Sequence, residues 1–178
     1  MLNHHPIKVL LIFCLALTGC VSSYKPNAPT ASSASFTLVR GSTHLGAKSL
    51  QEYEAYQDAR CTPVPGTGRL AALLTYASQR KSVQVDATRP IYVLARTSLH
   101  GTAPRRSDDD LSIRFYLTTD SCSNLVSFTP QPSRQYEITQ EATTTNCSVT
   151  VIDIATNSPP DDIKVEDART CPVAGTKS

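Results

Sequence analysis

Two histidines, a run of aspartates and a set of cysteines are the side chains of this chain that could do chemistry. His44 and His100 stand in the body of the sequence, whereas His4 and His5 sit at its start. A histidine near neutral pH can serve as a general base or a metal ligand. His100 lies in Ser98-Leu99-His100-Gly101-Thr102, which reads as a loop, and Arg105-Arg106-Ser107-Asp108-Asp109-Asp110 follows closely. One reading is a hydrolase in which His100 works with Asp108, Asp109 or Asp110. A catalytic triad is defined by geometry rather than by sequence position. No G-x-S-x-G elbow, H-E-x-x-H pair or phosphate-binding P-loop accompanies these residues. Three consecutive carboxylates could hold calcium, but a calcium loop alternates its ligands and includes a glycine. The stronger reading is a polar hairpin loop whose opposite charges largely neutralise one another. No catalytic residue, metal ligand or cofactor is therefore assigned. The run Gly66-Thr67-Gly68-Arg69-Leu70-Ala71 matches G-x-G-x-x-A. A dinucleotide fingerprint must follow a buried strand and open a helix, and here Pro63 and Pro65 precede it.

The cysteine at position 20 has a different context. Residues 1–8 carry one fixed side-chain charge, Lys8, and residues 9–17 (VLLIFCLAL) are unbroken apolar. This is the order of a secretory leader, and the run is too short for a membrane span. It ends in Leu17-Thr18-Gly19-Cys20, which resembles the lipobox of bacterial lipoproteins. The resemblance implies cleavage before Cys20 and a diacylglyceryl group on its thiol. Cys14 sits inside the apolar run after bulky Phe13 and does not compete. Lipid attachment gains about 0.8 kcal/mol per buried CH₂, so two or three chains anchor a protein almost permanently. Val21 is not the aspartate associated with inner-membrane retention. The expected location is thus the cell envelope, with the protein lipid-anchored in the outer membrane and facing the periplasm.

Removing 19 leader residues from the 178 leaves 159, a length suited to one domain. Loss of Lys8 leaves 16 basic against 15 acidic side chains. Such a balance provides no basic field for nucleic acid. Residues 20–35 comprise the lipidated cysteine and a Ser-, Ala- and Pro-rich flexible tether. The fifteen residues after Cys20 reach at most about 50 Å and about 20 Å on r.m.s. average. Residues 36–178 form the expected β-sandwich domain.

Within that domain, residues 35–40 (SFTLVR) read as a first strand. Residues 48–59 read as one short helix, because Leu50, Tyr53 and Tyr56 recur at i+3. The run 70–76 (LAALLTY) leans to strand. From Lys81 onward the pattern is β. Val83 and Val85 alternate, and residues 90–98 are β-branched and aromatic. Leu111, Ile113, Phe115 and Leu117 alternate with polar positions. Residues 124–129, 135–140 and 148–154 supply further strands, and 163–165 a possible edge. The fold class is mainly β, a single antiparallel sandwich or open barrel. Ile113, Phe115, Leu117, Val126, Phe128, Ile138, Val149 and Val151 are its expected core.

Cys61, Cys122, Cys147 and Cys171 remain after maturation, an even number in an oxidising compartment. Four cysteines allow three pairings. If four strands run up and down between Leu111 and Ile154, Cys122 and Cys147 fall in connections at the same end of the sheet. Cys122–Cys147 and Cys61–Cys171 are then the expected bridges, and no C-x-x-C pair suggests metal. Phe128-Thr129-Pro130, Tyr136 and residues 147–151 (CSVTV) resemble segments of small β-sandwich domains in envelope lipoproteins. That likeness covers about a quarter of the mature chain, implies a sandwich and carries over no functional residue. The resulting expectation is a non-catalytic binding or assembly module, with another envelope protein as partner and the membrane reached through the lipid. The envelope hydrolase using His100 is the alternative. Mass spectrometry of the purified N-terminus should find a chain beginning at Cys20 with lipid on it. A water-soluble product with a free Cys20 thiol would contradict this processing.

Overall fold

The computed structural model describes residues 23–26, 32–43, 48–75, 79–107, 110–143 and 145–172, with side-chain surroundings at 48 and 99–121 left aside. Nine strands make two sheets. They are β1 (Ser33–Thr43), β2 (Lys48–Tyr56), β3 (Gly68–Leu74), β4 (Arg80–Asp86), β5 (Ile91–Ser107), β6 (Asp110–Phe128), β7 (Gln135–Ala142), β8 (Cys147–Asp153) and β9 (Lys164–Glu166). One sheet has the order β4-β1-β7-β8 and the other β3-β2-β5-β6-β9. All named pairs are antiparallel except β1 with β7, which is parallel with Phe36 beside Tyr136. The mainly β sandwich is therefore as expected, with β9 as its short edge.

The inner faces meet in one apolar layer. Phe36 from β1 and Tyr136 from β7 face Phe128 from β6, with ring centroids 5.2 to 5.9 Å apart. Such offset and edge-on pairs add to the area they bury. Leu38, Tyr53, Val85, Val93, Val126, Ile138 and Val151 complete the layer, with Val149 half-buried beside it. Of the expected core, Val126, Phe128, Ile138 and Val151 are thus inside, while the side chains of Ile113, Phe115 and Leu117 lie outside the described set. The Tyr136 hydroxyl accepts a hydrogen bond from the Gln131 N–H at 3.0 Å, tying the β6–β7 loop to the core.

Two sequence expectations are corrected. Residues 48–59 are not a helix. Ser49, Gln51, Tyr53 and Ala55 alternate inward on β2 and are buried. Because Ser49 and Gln51 are polar, the period of two was hidden and the i+3 recurrence of Leu50, Tyr53 and Tyr56 stood out instead. Residues 111–118 and 124–129 are not two strands but parts of the single strand β6, so Cys122 lies mid-strand rather than in a connection. The expected bridge nonetheless forms. Cys122 faces inward from one sheet and meets Cys147 at the start of β8 in the other, with Cα atoms 5.6 Å apart.

The second bridge, Cys61–Cys171, has Cα atoms 5.0 Å apart and closes 110 residues of chain. It belongs to a smaller cluster on the outer face of the five-stranded sheet. Leu94 and Leu125 are buried there under Cys61, Cys171, Tyr56, Ala59 and Ala168. Asp58 supports this turn by accepting from the N–H groups of Arg60 (2.9 Å) and Thr62 (3.1 Å). These bonds hold its carboxyl below the usual range and steady Cys61 at φ 54°. On the chain-entropy account, closing the loops of Cys122–Cys147 and Cys61–Cys171 stabilises by up to about 3.5 and 4.7 kcal/mol.

Gly41 sits at the irregularity where β1 shifts register against β7. A Cβ there would stand 2.1 Å from the Gln140 carbonyl oxygen. Backbone cannot yield as a side-chain tip can, so Gly41→Ala should destabilise the domain by about 1–3 kcal/mol or more. A denaturant midpoint unchanged from the parent protein would show that β1 and β7 do not approach so closely.

Candidate functional site

Of the residues proposed for chemistry, His100 and Asp110 are not brought together. His100 lies on β5 rather than in a loop, opposite Lys48 of β2 and Thr119 of β6. Asp110 lies opposite Ser107, seven residues further along β5. At about 3.3 Å per residue that is about 23 Å of strand. Arg105 and Arg106 are likewise strand residues, opposite Arg114 and Ile113. Asp108, Asp109, His44 and Cys20 lie outside the described residues. Among the described residues no group of three His, Cys, Asp or Glu could hold a metal, and no helix is long and apolar enough to cross a membrane.

The same register reveals a feature that the sequence reading missed. β2 accompanies β5 only as far as His100, and β9 accompanies β6 only at Leu125, Val126 and Ser127. Beyond them β5 and β6 pair with one another alone among the described residues, out to Ser107 and Asp110. The result is a two-stranded arm extending about 23 Å past the end of β2. A strand edge presents unpaired N–H and C=O groups that can accept another strand. Pro104 fits this placement, since proline is tolerated on edge strands. The alternation of residues 111–117 was a visible signal for one strand. Gly101, Pro104 and the Arg-Arg pair concealed its partner by resembling a loop.

The arm grows from a polar seam between the sheets. Gln140 of β7 is fully buried. Its Oε1 accepts from the Thr97 hydroxyl at 2.8 Å, and its Nε2 donates to the Ala95 carbonyl and Asn124 Oδ1, each at 2.9 Å. Gln51 of β2 crosses the other way. Its Nε2 donates to the Gln140 carbonyl at 3.0 Å, and its Oε1 accepts from the Gly41 N–H at 3.1 Å. The Tyr53 hydroxyl donates to the Val39 carbonyl at 2.7 Å and accepts from the Gln140 N–H at 3.0 Å. Asn124 also donates to the Cys147 carbonyl at 3.3 Å, beside the disulfide. Above the seam the Arg40 guanidinium donates to the hydroxyls of Thr43 (3.0 Å), Thr75 (3.2 Å) and Ser49. These groups fix the root of the arm, and all but the buried Arg40 Nε, which has no partner among the described residues, satisfy one another.

At the opposite end a polar groove is lined by Thr129, Arg134, Asp153, Pro159 and Asp162. Two of its carboxylates hold the fold. Asp153 accepts from the Ala155 N–H at 2.8 Å and faces Arg134 at 3.6 Å, while Asp162 accepts from the Thr129 N–H at 2.9 Å. No protein-family description, curated protein or solved structure matches this chain.

Burial pushes the Tyr53 phenol up to about 12, against hydrogen bonding from Gln140 that lowers it. Burial and the neighbouring Glu54 push Tyr56 up to about 12 as well. An unfolded tyrosine titrates near 10. Both phenols are neutral in either state below pH 10, so their contribution is complete there. Between about pH 10 and 12 only the unfolded chain loses these protons, and stability falls as pH rises. Denaturant midpoints should therefore agree at pH 8 and 9 and drop by pH 11, with Tyr53→Phe reducing the drop. Tyrosinate absorbance showing every phenol of the folded protein titrating near pH 10 would contradict this burial.

Proposed function

We propose that this chain is a membrane-anchored envelope lipoprotein that acts as a non-catalytic binding or assembly module. The reading places it at the outer membrane, facing the periplasm, with lipid on Cys20. The leader, the Leu17-Thr18-Gly19-Cys20 lipobox and the disulfide-stapled domain follow one another in the order such a protein needs. Two disulfides suit an oxidising compartment. The observation that carries the binding role is the β5–β6 arm. From Gly101 to Ser107 and back to Thr118 its strands have no third strand beside them among the described residues. An envelope protein with an extended segment can add to such an edge through main-chain hydrogen bonds. The arm's rigid root orients that edge without any requirement for a catalytic group.

The hydrolase reading needs His100 and an aspartate at one point, and the strand register separates His100 from Asp110 by most of the arm. The deciding experiment shortens the arm. His100 and Thr119 are already opposite, so an Asn-Gly turn can replace residues 101–118 and close the hairpin there. Crosslinking of the lipidated protein in cells should capture one defined envelope protein. The shortened variant should lose that adduct while keeping its fold, and His100→Ala and Asp109→Ala should keep it. Retention of the adduct without the arm would remove the arm from the interface. Loss of a measurable turnover in both single variants, with the fold intact, would overturn the non-catalytic reading.

A further inference from the structure

Three residues past Cys20 the chain is already docked. Ser23 forms a parallel bridge with Arg69 on the outer edge of β3, and the Tyr24 N–H donates to the Arg69 carbonyl at 3.0 Å. The Tyr24 ring packs against the main core. Its hydroxyl accepts from the Asp86 N–H at 3.1 Å, in a notch lined also by Tyr56, Gln57 and Arg89. Asp86 ends β4, so this one residue, Tyr24, bonds the edge strands of both sheets, β3 through its main chain and β4 through its hydroxyl. Burial raises the phenol above its ordinary range, as expected for a ring held out of water.

We propose that Tyr24 is a latch that converts the N-terminal segment from a long leash into a short stand-off, seating the domain on a phospholipid surface with the Arg69 end of β3 nearest the lipid. The proposal rests on the lipid anchor at Cys20. With the latch closed, three residue steps separate Cys20 from Ser23, about 11 Å at full extension. With the latch open, the next described residue tied to the domain is Ser32, whose carbonyl accepts from the Ala87 N–H. Twelve steps then span about 40 Å at most, or about 19 Å on r.m.s. average if flexible. The latch thus changes the reach about fourfold. Exposed Lys25 lies just past the latch.

Register also directs the arm. Glu54 pairs with Arg69 on one side and Leu94 on the other, whereas His100 lies at the Lys48 end of β2. From Leu94 to Ser107 β5 runs about 43 Å away from the latch. The β5–β6 arm therefore leaves the domain at the end remote from the lipid.

The test places the same twelve-residue Gly-Ser insertion on either side of the latch, in the full lipidated protein on phosphatidylethanolamine–phosphatidylglycerol vesicles. A fluorescent amino acid at exposed Ala72 reports energy transfer to acceptors on the headgroups. Insertion between Val21 and Ser22 lies before the latch and should add about 20 Å r.m.s. of slack, lowering the transfer. Insertion between Pro26 and Asn27 lies after it and should leave the transfer unchanged. Tyr24→Ala should make the second insertion lower the transfer as the first does. Equal losses from both insertions in the parent protein, with mass spectrometry finding lipid on Cys20, would overturn the latch and leave the anchor standing. A chain without lipid at Cys20 would overturn the anchor and the stand-off together.

Discussion

A buried amide must find its partners inside the fold, and that requirement governs this sandwich. Gln51 and Gln140 are fully buried, and leaving such a group unpaired costs about 1–3 kcal/mol. Each meets the need across the gap between sheets. Gln140 reaches Thr97 and Asn124 on the five-stranded sheet, and Gln51 reaches Gly41 and Gln140 on the four-stranded one. A one-residue slip of any of these strands would turn its inward side chains outward. The seam therefore selects register more sharply than an apolar layer could. It also explains the parallel pairing of β1 and β7. Parallel ladders are slightly less stable per residue, and the Tyr53 phenol reinforces this one by bonding Val39 on β1 and Gln140 on β7.

The outer face of the five-stranded sheet obeys a second constraint. Tyr92, Leu94 and Leu125 point away from the main core and would meet water without a cover. The turn carrying Cys61 and the tail carrying Cys171 supply it, and the disulfide joins them across 110 residues. Burial on both faces accounts for the unbroken run Ile91-Tyr92-Val93-Leu94-Ala95. An antiparallel strand with one wet face would alternate there. The bridge thus closes a layer, while Cys122–Cys147 joins the two sheets beside the polar seam.

What the sequence made legible follows from these constraints. Strands with one wet face or two dry ones carried clean patterns, and residues 80–86, 135–142 and 147–153 were found within a residue or two. β2 was misread because its inward positions include Ser49 and Gln51, whose burial depends on partners far away in sequence. β6 was divided at Ser121-Cys122-Ser123-Asn124, where Cys122 serves the disulfide and Asn124 the seam rather than a turn. The pairing of Cys122 with Cys147 was right although its premise was not. Both cysteines do lie at one end of the sandwich, but one is mid-strand. His100 and the aspartates were grouped because they are near in sequence, whereas an extended strand sets its residues far apart in space.

Tryptophan is absent from the chain, and tyrosine takes the role of an apolar body with a polar tip. Tyr136 ties the β6–β7 loop, Tyr53 ties β1 to β7, and Tyr24 ties the N-terminal segment to Asp86. In all three the ring packs against the same core and the hydroxyl satisfies backbone. The first two fasten parts of the domain that have no other place to go. Tyr24 differs, because the segment it holds is peripheral and touches β3 through one bridge and one main-chain bond. Peripheral elements with few contacts open at lower free energy than core strands. Under the proposed reading, a binding arm at the far end gains from an anchor that is short when docked and long when released, since the tether length sets how far the arm can search. Of these three tyrosines, Tyr24 is the one that stands between the domain and Cys20.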